Sequence, residues 1–182
     1  MIRSYEDYLY YLKADQSARN QKISLRTFLY NDVWKFQRLL RKLEYLTNCK
    51  KSRVRRMLVA YRFMRLRVKL GFMIPINVFG PGLSIAHYGS IIITPLAKIG
   101  EHCRVHVGVV IAKDRWKDAA PKIGNNCNIG PGAKIYGDIT IGDNTIIGAN
   151  AVVNKSFPEG NMVIAGIPAK KVADNYPGIC NA

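Results

Sequence analysis

Three histidines, His87, His102 and His106, are the side chains of this 182-residue chain best suited to move a proton near neutral pH. An imidazole beside a hydroxyl can take its proton as attack begins, provided donors await the charge that develops. Three imidazoles that converge can also hold zinc. The cysteines Cys49, Cys103, Cys127 and Cys180 form no CxxC and no disulfide framework, so a reducing cytoplasm is expected. No Cys-Ser-His constellation suggests a covalent intermediate, and direct transfer is the expected course.

The histidines fall in or beside a sequence that repeats every six residues from His87 onward. Ile93, Ile99, Val105 and Ile111 share one phase, which Ile123, Ile129, Ile135, Ile141, Ile147 and Val153 continue. Four positions later come Ala97, Cys103, Val109, Cys127, Ala133, Ile139, Thr145 and Ala151, mostly small. A period of six is a multiple of the strand period of two, so both positions point inward from short strands. Gly, Asn and Asp between them allow tight corners. Three such sides per coil, stacked at roughly 4.8 Å, make a β-solenoid. Cys103 and Cys127 are then core filler. The interruption at about 112–121, with Arg115, Trp116 and Lys117, reads as a loop thrown off the solenoid.

Residues 1–75 read as a basic helical extension, 76–172 as the solenoid and 173–182 as a tail. Ser4 and Asp7 suit a capping box ahead of Tyr5, Tyr8, Leu9 and Leu12 on one face. A second helix spans about 25–47, with Leu29, Val33, Phe36, Leu40 and Leu43 inward and Arg38, Arg41 and Lys42 off that stripe. The third, 51–70, sets Val54, Leu58, Tyr61, Met64 and Val68 on one side and ends at Gly71.

The formal charge is +16, and residues 1–75 carry a net +13 of it, 18 Lys and Arg against 5 acids. That basic helix reads as a solvated flank, or as an interfacial helix making peripheral membrane contact through 50–70. No nucleic-acid module is visible and the aromatics form no stacking platform. No run is long and apolar enough for a signal peptide or a membrane span. The expected place is cytoplasmic, at the inner face of the membrane if that helix engages lipid.

The segments GPGLSIAHYGSIIITPLAKIG (80–100), PKIGNNCNIGPGAKIYGDITIGDNTIIGANAVV (121–153) and AGIPAKKV (165–172) resemble the hexapeptide-repeat acyltransferases, serine acetyltransferases among them. The resemblance implies a left-handed parallel β-helix, a homotrimer, and acetyl transfer from acetyl-CoA with no metal. His87 matches that family's catalytic base. If a coil takes eighteen residues, His106 lies one coil on and one residue along, close enough to contact the acceptor or tune His87. CoA is expected between subunits, against Ala133, Ala151, Asn154 and Lys155, with Ile164, Pro168, Lys170 and Lys171 flanking its adenine end.

Two departures bear on the acceptor. Where serine acetyltransferases carry an Asp before the catalytic His, this chain has Ala86. Where they carry an Arg-His pair that helps bind the amino acid, it has Ala119 and Ala120. Loss of the carboxylate-binding Arg predicts that free serine is poorly held. The expected acceptor is therefore a sugar hydroxyl in surface polysaccharide or lipopolysaccharide biosynthesis, as in the polysaccharide O-acetyltransferase branch, with Trp116 stacked on the sugar. Serine O-acetylation is the alternative. A non-enzymatic trimeric scaffold and a zinc site like that of the γ-class carbonic anhydrases are further readings, although the histidine spacing differs from that class.

Overall fold

The computed structural model describes residues 1–19 and 30–175. The expected helical residues 25–29, most of the 173–182 tail and Cys180 lie outside the described residues.

Helix α1 (Tyr5–Ser17) starts as the sequence predicts. The Ser4 hydroxyl accepts from the Asp7 N–H at 3.0 Å, and the Asp7 carboxylate accepts from the Ser4 N–H at 3.1 Å. Its inward face differs: Tyr11, Ala14 and Asp15 are buried, while Tyr5 and Leu9 are exposed. Helix α2 (Asp32–Asn48), capped by Asn31, buries Val33, Phe36, Leu40 and Leu43 as expected. It also buries Arg41, which lies off the apolar stripe. A charge survives there because it is fully paired. The Arg41 guanidinium donates to Asp15 at 2.8 and 3.1 Å, to Glu44 at 3.0 Å, and to the carbonyls of Phe79 and Gly80. Asp15 in turn accepts the N–H groups of Gly82 and Leu83. Burial works against the Arg41 charge, but the two carboxylates raise its pKa above the ordinary arginine value. This network ties α1 and α2 to the first coil.

Helix α3 (Arg53–Leu70) ends at Gly71, whose φ of +74° is the left-handed C-cap that glycine adopts without a steric cost. Its buried residues are Val59, Phe63 and Leu70. The face expected to pack, Val54, Leu58, Tyr61, Met64 and Val68, lies in solvent. The helix has two apolar faces, and Phe63, stacked at 5.1 Å on Phe36, selects the other.

The chain then winds a left-handed parallel β-helix from three sheets. One holds β1 (Phe72–Met73), β3 (Ile91–Ile93), β6 (Val110–Ala112), β9 (Lys134–Tyr136) and β12 (Val152–Val153). A second holds β4 (Lys98–Ile99), β7 (Lys122–Ile123) and β10 (Thr140–Ile141). The third holds β2 (Ser84–Ile85), β5 (Arg104–Val105), β8 (Asn128–Ile129), β11 (Ile146–Ile147) and β13 (Met162–Gly166), closed by antiparallel β14 (Ala169–Asp174). The leading aliphatics and the small residues four positions later fill the interior together. Cys103 and Cys127 are buried among them; the Cys127 side chain and burial push the Cys103 thiol well above the ordinary cysteine range. Coils crowd at the corners: a Cβ on Gly142 would clash with the Pro158 carbonyl oxygen.

The winding is not uniform. Ile85 pairs with Val105, Val105 with Ile129, and Ile129 with Ile147, so successive coils take 20, 24 and 18 residues. The longest contains the expected loop after Ala112. There Asp114 accepts from the N–H groups of Trp116 and Lys117, and Lys113 pairs with Asp118.

Candidate active site

The solenoid has three edges, and the one joining the β5 sheet to the β6 sheet carries both His87 and His106. Its rungs are residues 86–90, 106–109, 130–132, 148–150 and 166–168. The Ala86 N–H donates to Val105, His106 to Ile129, Gly130 to Ile147 and Gly148 to Ile164, which locks each rung over the last. His87 and His106 lie at the foot of this edge, their ring centroids 6.4 Å apart and tilted by 53°.

The register differs from the eighteen-residue expectation. Because the first coil takes 20 residues, His106 stands directly over Ala86, the position where the resemblance calls for an acid. His87 is exposed and His106 half-buried. Burial, the nearby Arg104 charge and His87 together lower the His106 pKa, so this imidazole is neutral at pH 7 and able to accept a hydrogen bond.

Arg104 is the residue that the sequence reading passed over. It lies two residues before His106, so both side chains leave the same outer face of the solenoid. Ser84 flanks it below and Asn128 above. Its Nε is buried without a hydrogen-bond partner, and its guanidinium enters none of the ion pairs among the described residues. An unpartnered guanidinium beside the His106 imidazole is a ready carboxylate anchor. No motif reveals it, because its meaning depends on register.

His102 occupies a different edge. It adopts φ +54° at the corner where Asn126, Asn144 and Asn161 take the same conformation on later coils, and its ring packs on Gly82. The three histidines therefore do not converge, and among the described residues no group of three His, Cys, Asp or Glu side chains is placed to hold a metal.

Above the histidine pair the edge is built from small residues: Gly108, Gly130, Pro131, Gly132, Gly148 and Ala149. The turn at Ile167 and Pro168 tops it, about 19 Å from His87 by four strand spacings. Lys170 and Lys171 follow in exposed positions, Lys171 paired with Asp174 at 2.6 Å. The other expected donor residues divide. Ala133, Ala151 and Ile164 are completely buried, so their side chains belong to the core and cannot line a ligand groove. Their small or inward-pointing character comes from packing the coil. Asn154 and Lys155 are exposed, but on the edge between the β12 sheet and the β10 sheet. Trp116 lies on that same second edge, 84% exposed, with the Arg115 guanidinium 5.0 Å over its ring. One protomer thus does not bring Trp116, Asn154 or Lys155 to the histidine pair.

The family of bacterial transferase hexapeptide (six repeats) proteins matches residues 120–155. Serine acetyltransferase from Synechococcus elongatus is 33% identical over 95 residues, covering 51% of this chain and 38% of that protein. The enzyme of the same name from Staphylococcus xylosus is 40% identical over 92 residues, covering 49% and 42%. This chain therefore spans about half or less of the length of these curated relatives. A crystal structure of serine acetyltransferase from Brucella abortus superposes with a TM-score of 0.76 at 26% identity, covering 94% of this chain and 71% of that one. The same enzyme in complex with coenzyme A superposes at 0.77 and 25% identity, covering 94% and 70%.

These relatives overturn the expectation of a sugar acceptor and of the polysaccharide branch: the names they carry are serine acetyltransferase. Absence of a cation at Ala119 does not leave the site without one, since Arg104 stands beside His106. Residues 120–155 match the repeats of the bacterial transferase hexapeptide family, and the chain shares the fold of the solved serine acetyltransferases.

Proposed function

We propose that this protein is an acetyl-CoA-dependent O-acetyltransferase acting on the hydroxyl of serine. The observation that carries the reading is the pair of imidazoles 6.4 Å apart at the foot of an edge of small residues, in a fold shared with serine acetyltransferases. An imidazole nitrogen of His87 takes the proton of the serine hydroxyl as its oxygen attacks the thioester carbonyl. The tetrahedral oxyanion then collapses, the C–S bond breaks, and the His87 proton passes to the departing CoA sulfur. His106, neutral and half-buried, orients the acceptor or His87. Arg104 holds the acceptor carboxylate in place of the arginine that Ala119 lacks.

The acetyl-CoA arm lies along the small-residue edge with its far end by Pro168, Lys170 and Lys171. Completion of the site calls for a neighbour. In a homotrimer, the second edge of one protomer, with Trp116, Asn154 and Lys155, faces the histidine edge of the next. The test is mass spectrometry of L-serine incubated with labelled acetyl-CoA. O-acetylserine formed with the wild type and lost with His87→Ala supports the reading; no acetylserine, with CoA binding intact, overturns it.

A further inference from the structure

Helix α3 presents an apolar face to solvent. Val54, Met57, Leu58, Tyr61, Met64 and Val68 are each at least half exposed, the outermost being Val68 at 74%. At 100° per residue they gather in an arc of roughly 120°. Val59, Phe63 and Leu70, which pack on the protein, lie on the opposite side. Between the two faces run the cations: Arg55, Arg62 and Lys69 on one flank, Arg53, Arg56 and Arg67 on the other, with Arg65 within the exposed arc. The helix holds no acid. Lys69 pairs with Asp32, and the other six enter no ion pair among the described residues.

An exposed apolar stripe of this length does not persist on a protein surface without a partner. Three kinds of occupant compete, and charge separates them. A two-fold contact with a second copy would set six unpaired cations against the same six. A nucleic acid would use the cations but gain nothing from Val54, Met57, Leu58 or Met64. An anionic lipid surface uses both: the apolar side chains enter the acyl boundary while the flanking arginines meet phosphate headgroups.

We propose that α3 is an interfacial helix that lays this face on an anionic lipid bilayer. No helix among the described residues is long and apolar enough to cross a membrane, so the contact is peripheral. The proposal does not depend on the acceptor, because it rests only on the composition and exposure of this face.

The test is flotation of the full-length protein with vesicles of phosphatidylcholine alone or with 30% phosphatidylglycerol, at low and high salt. Binding is expected only to the anionic vesicles, weakening steeply with salt. Arg55→Gln/Arg62→Gln/Arg65→Gln should weaken it by about 100-fold, at roughly 1 kcal/mol per cation. Met57→Ser/Leu58→Ser/Met64→Ser, all on the exposed face and checked for retained helix content by circular dichroism, should weaken it comparably with every cation retained. No binding to anionic vesicles overturns the proposal. So does binding that survives the apolar triple variant, which would mark a general polyanion surface and predict equal retention on RNA. Dissociation of an oligomer by the same variant, seen by sedimentation and without any change in vesicle binding, would assign the face to a second copy and overturn it too.

Discussion

His106 stands one rung above Ala86, with its ring centroid 6.4 Å from that of His87 and Arg104 two residues before it on the same outer face. This places a cation and two imidazoles together where the resemblance calls for an acid and a single base. The site is more positive than a His-acid pair would be, which suits an acceptor that brings its own carboxylate.

The two histidines should separate kinetically. His87→Ala is expected to cut kcat by 10²- to 10⁴-fold, the usual worth of a positioned base, with acetyl-CoA binding unchanged. His106→Gln, which keeps a hydrogen-bonding group, should alter the acceptor KM more than kcat. Steady-state kinetics with both substrates varied decides this, and an equal loss of kcat in the two variants would assign the base to the pair.

Arg104→Gln should raise the KM for serine by roughly 10- to 100-fold, the cost of a lost charge-assisted hydrogen bond of about 1.5–3 kcal/mol, while leaving the KM for acetyl-CoA alone. Serine analogues that lack the carboxylate should lose this sensitivity. Unchanged serine kinetics would remove Arg104 from the acceptor site.

The pH dependence of stability has a sign fixed by His106. Its folded pKa lies below the ordinary 6.5, so the unfolded chain binds the proton first as pH falls. Its contribution is complete above 6.5, declines on acidification, and levels off below the folded value. Denaturant titrations from pH 7 to pH 5 should show a shallower loss in His106→Gln. In Arg104→Gln the His106 pKa should rise, shifting that loss to a smaller magnitude.

Truncation of Asp15 to Ala leaves the buried Arg41 charge half compensated and strips the Gly82 and Leu83 N–H groups of their acceptor. Breaking a buried pair in this way costs about 3–5 kcal/mol. Chemical denaturation should report that loss, whereas Lys113→Ala, which removes an exposed loop ion pair, should change stability by less than about 1 kcal/mol.

Mixed oligomers test the shared site. If Lys155 serves the histidine edge of a neighbour, co-refolding inactive His87→Ala chains with weakly active Lys155→Ala chains should restore part of the activity. Mixtures no better than their separate components would place the complete site in one chain.

The solenoid was legible because its rule is local. Every sixth residue from Ile123 to Val153 must fill the same narrow interior, so the period itself states the fold. Ser4 with Asp7 and Gly71 were legible for the same reason, since a cap depends on a few neighbouring residues. The two-faced helix α3 was not. Its Phe63 face and its Met64 face are both apolar, and only the ring of Phe36 on α2 decides which one packs. Arg41 also reads as a surface cation until Asp15, 26 residues away, is folded against it.

The site divides along the same line. Sequence alone determined that His87 is the base candidate, that Cys103 and Cys127 are filler, and that a loop interrupts the coils near Trp116. Tertiary structure decided that Ala133, Ala151 and Ile164 face inward, that Trp116 and Lys155 share an edge away from His87, and that Arg104 joins the histidines. A repeat fixes which residues point inward, but the residues that meet on an edge depend on coil length. Here the coils run 20, 24 and 18 residues, the extra ones lying at the 86–90 corner and in the loop after Ala112, and which side chains then share a rung is decided only when the strands pair.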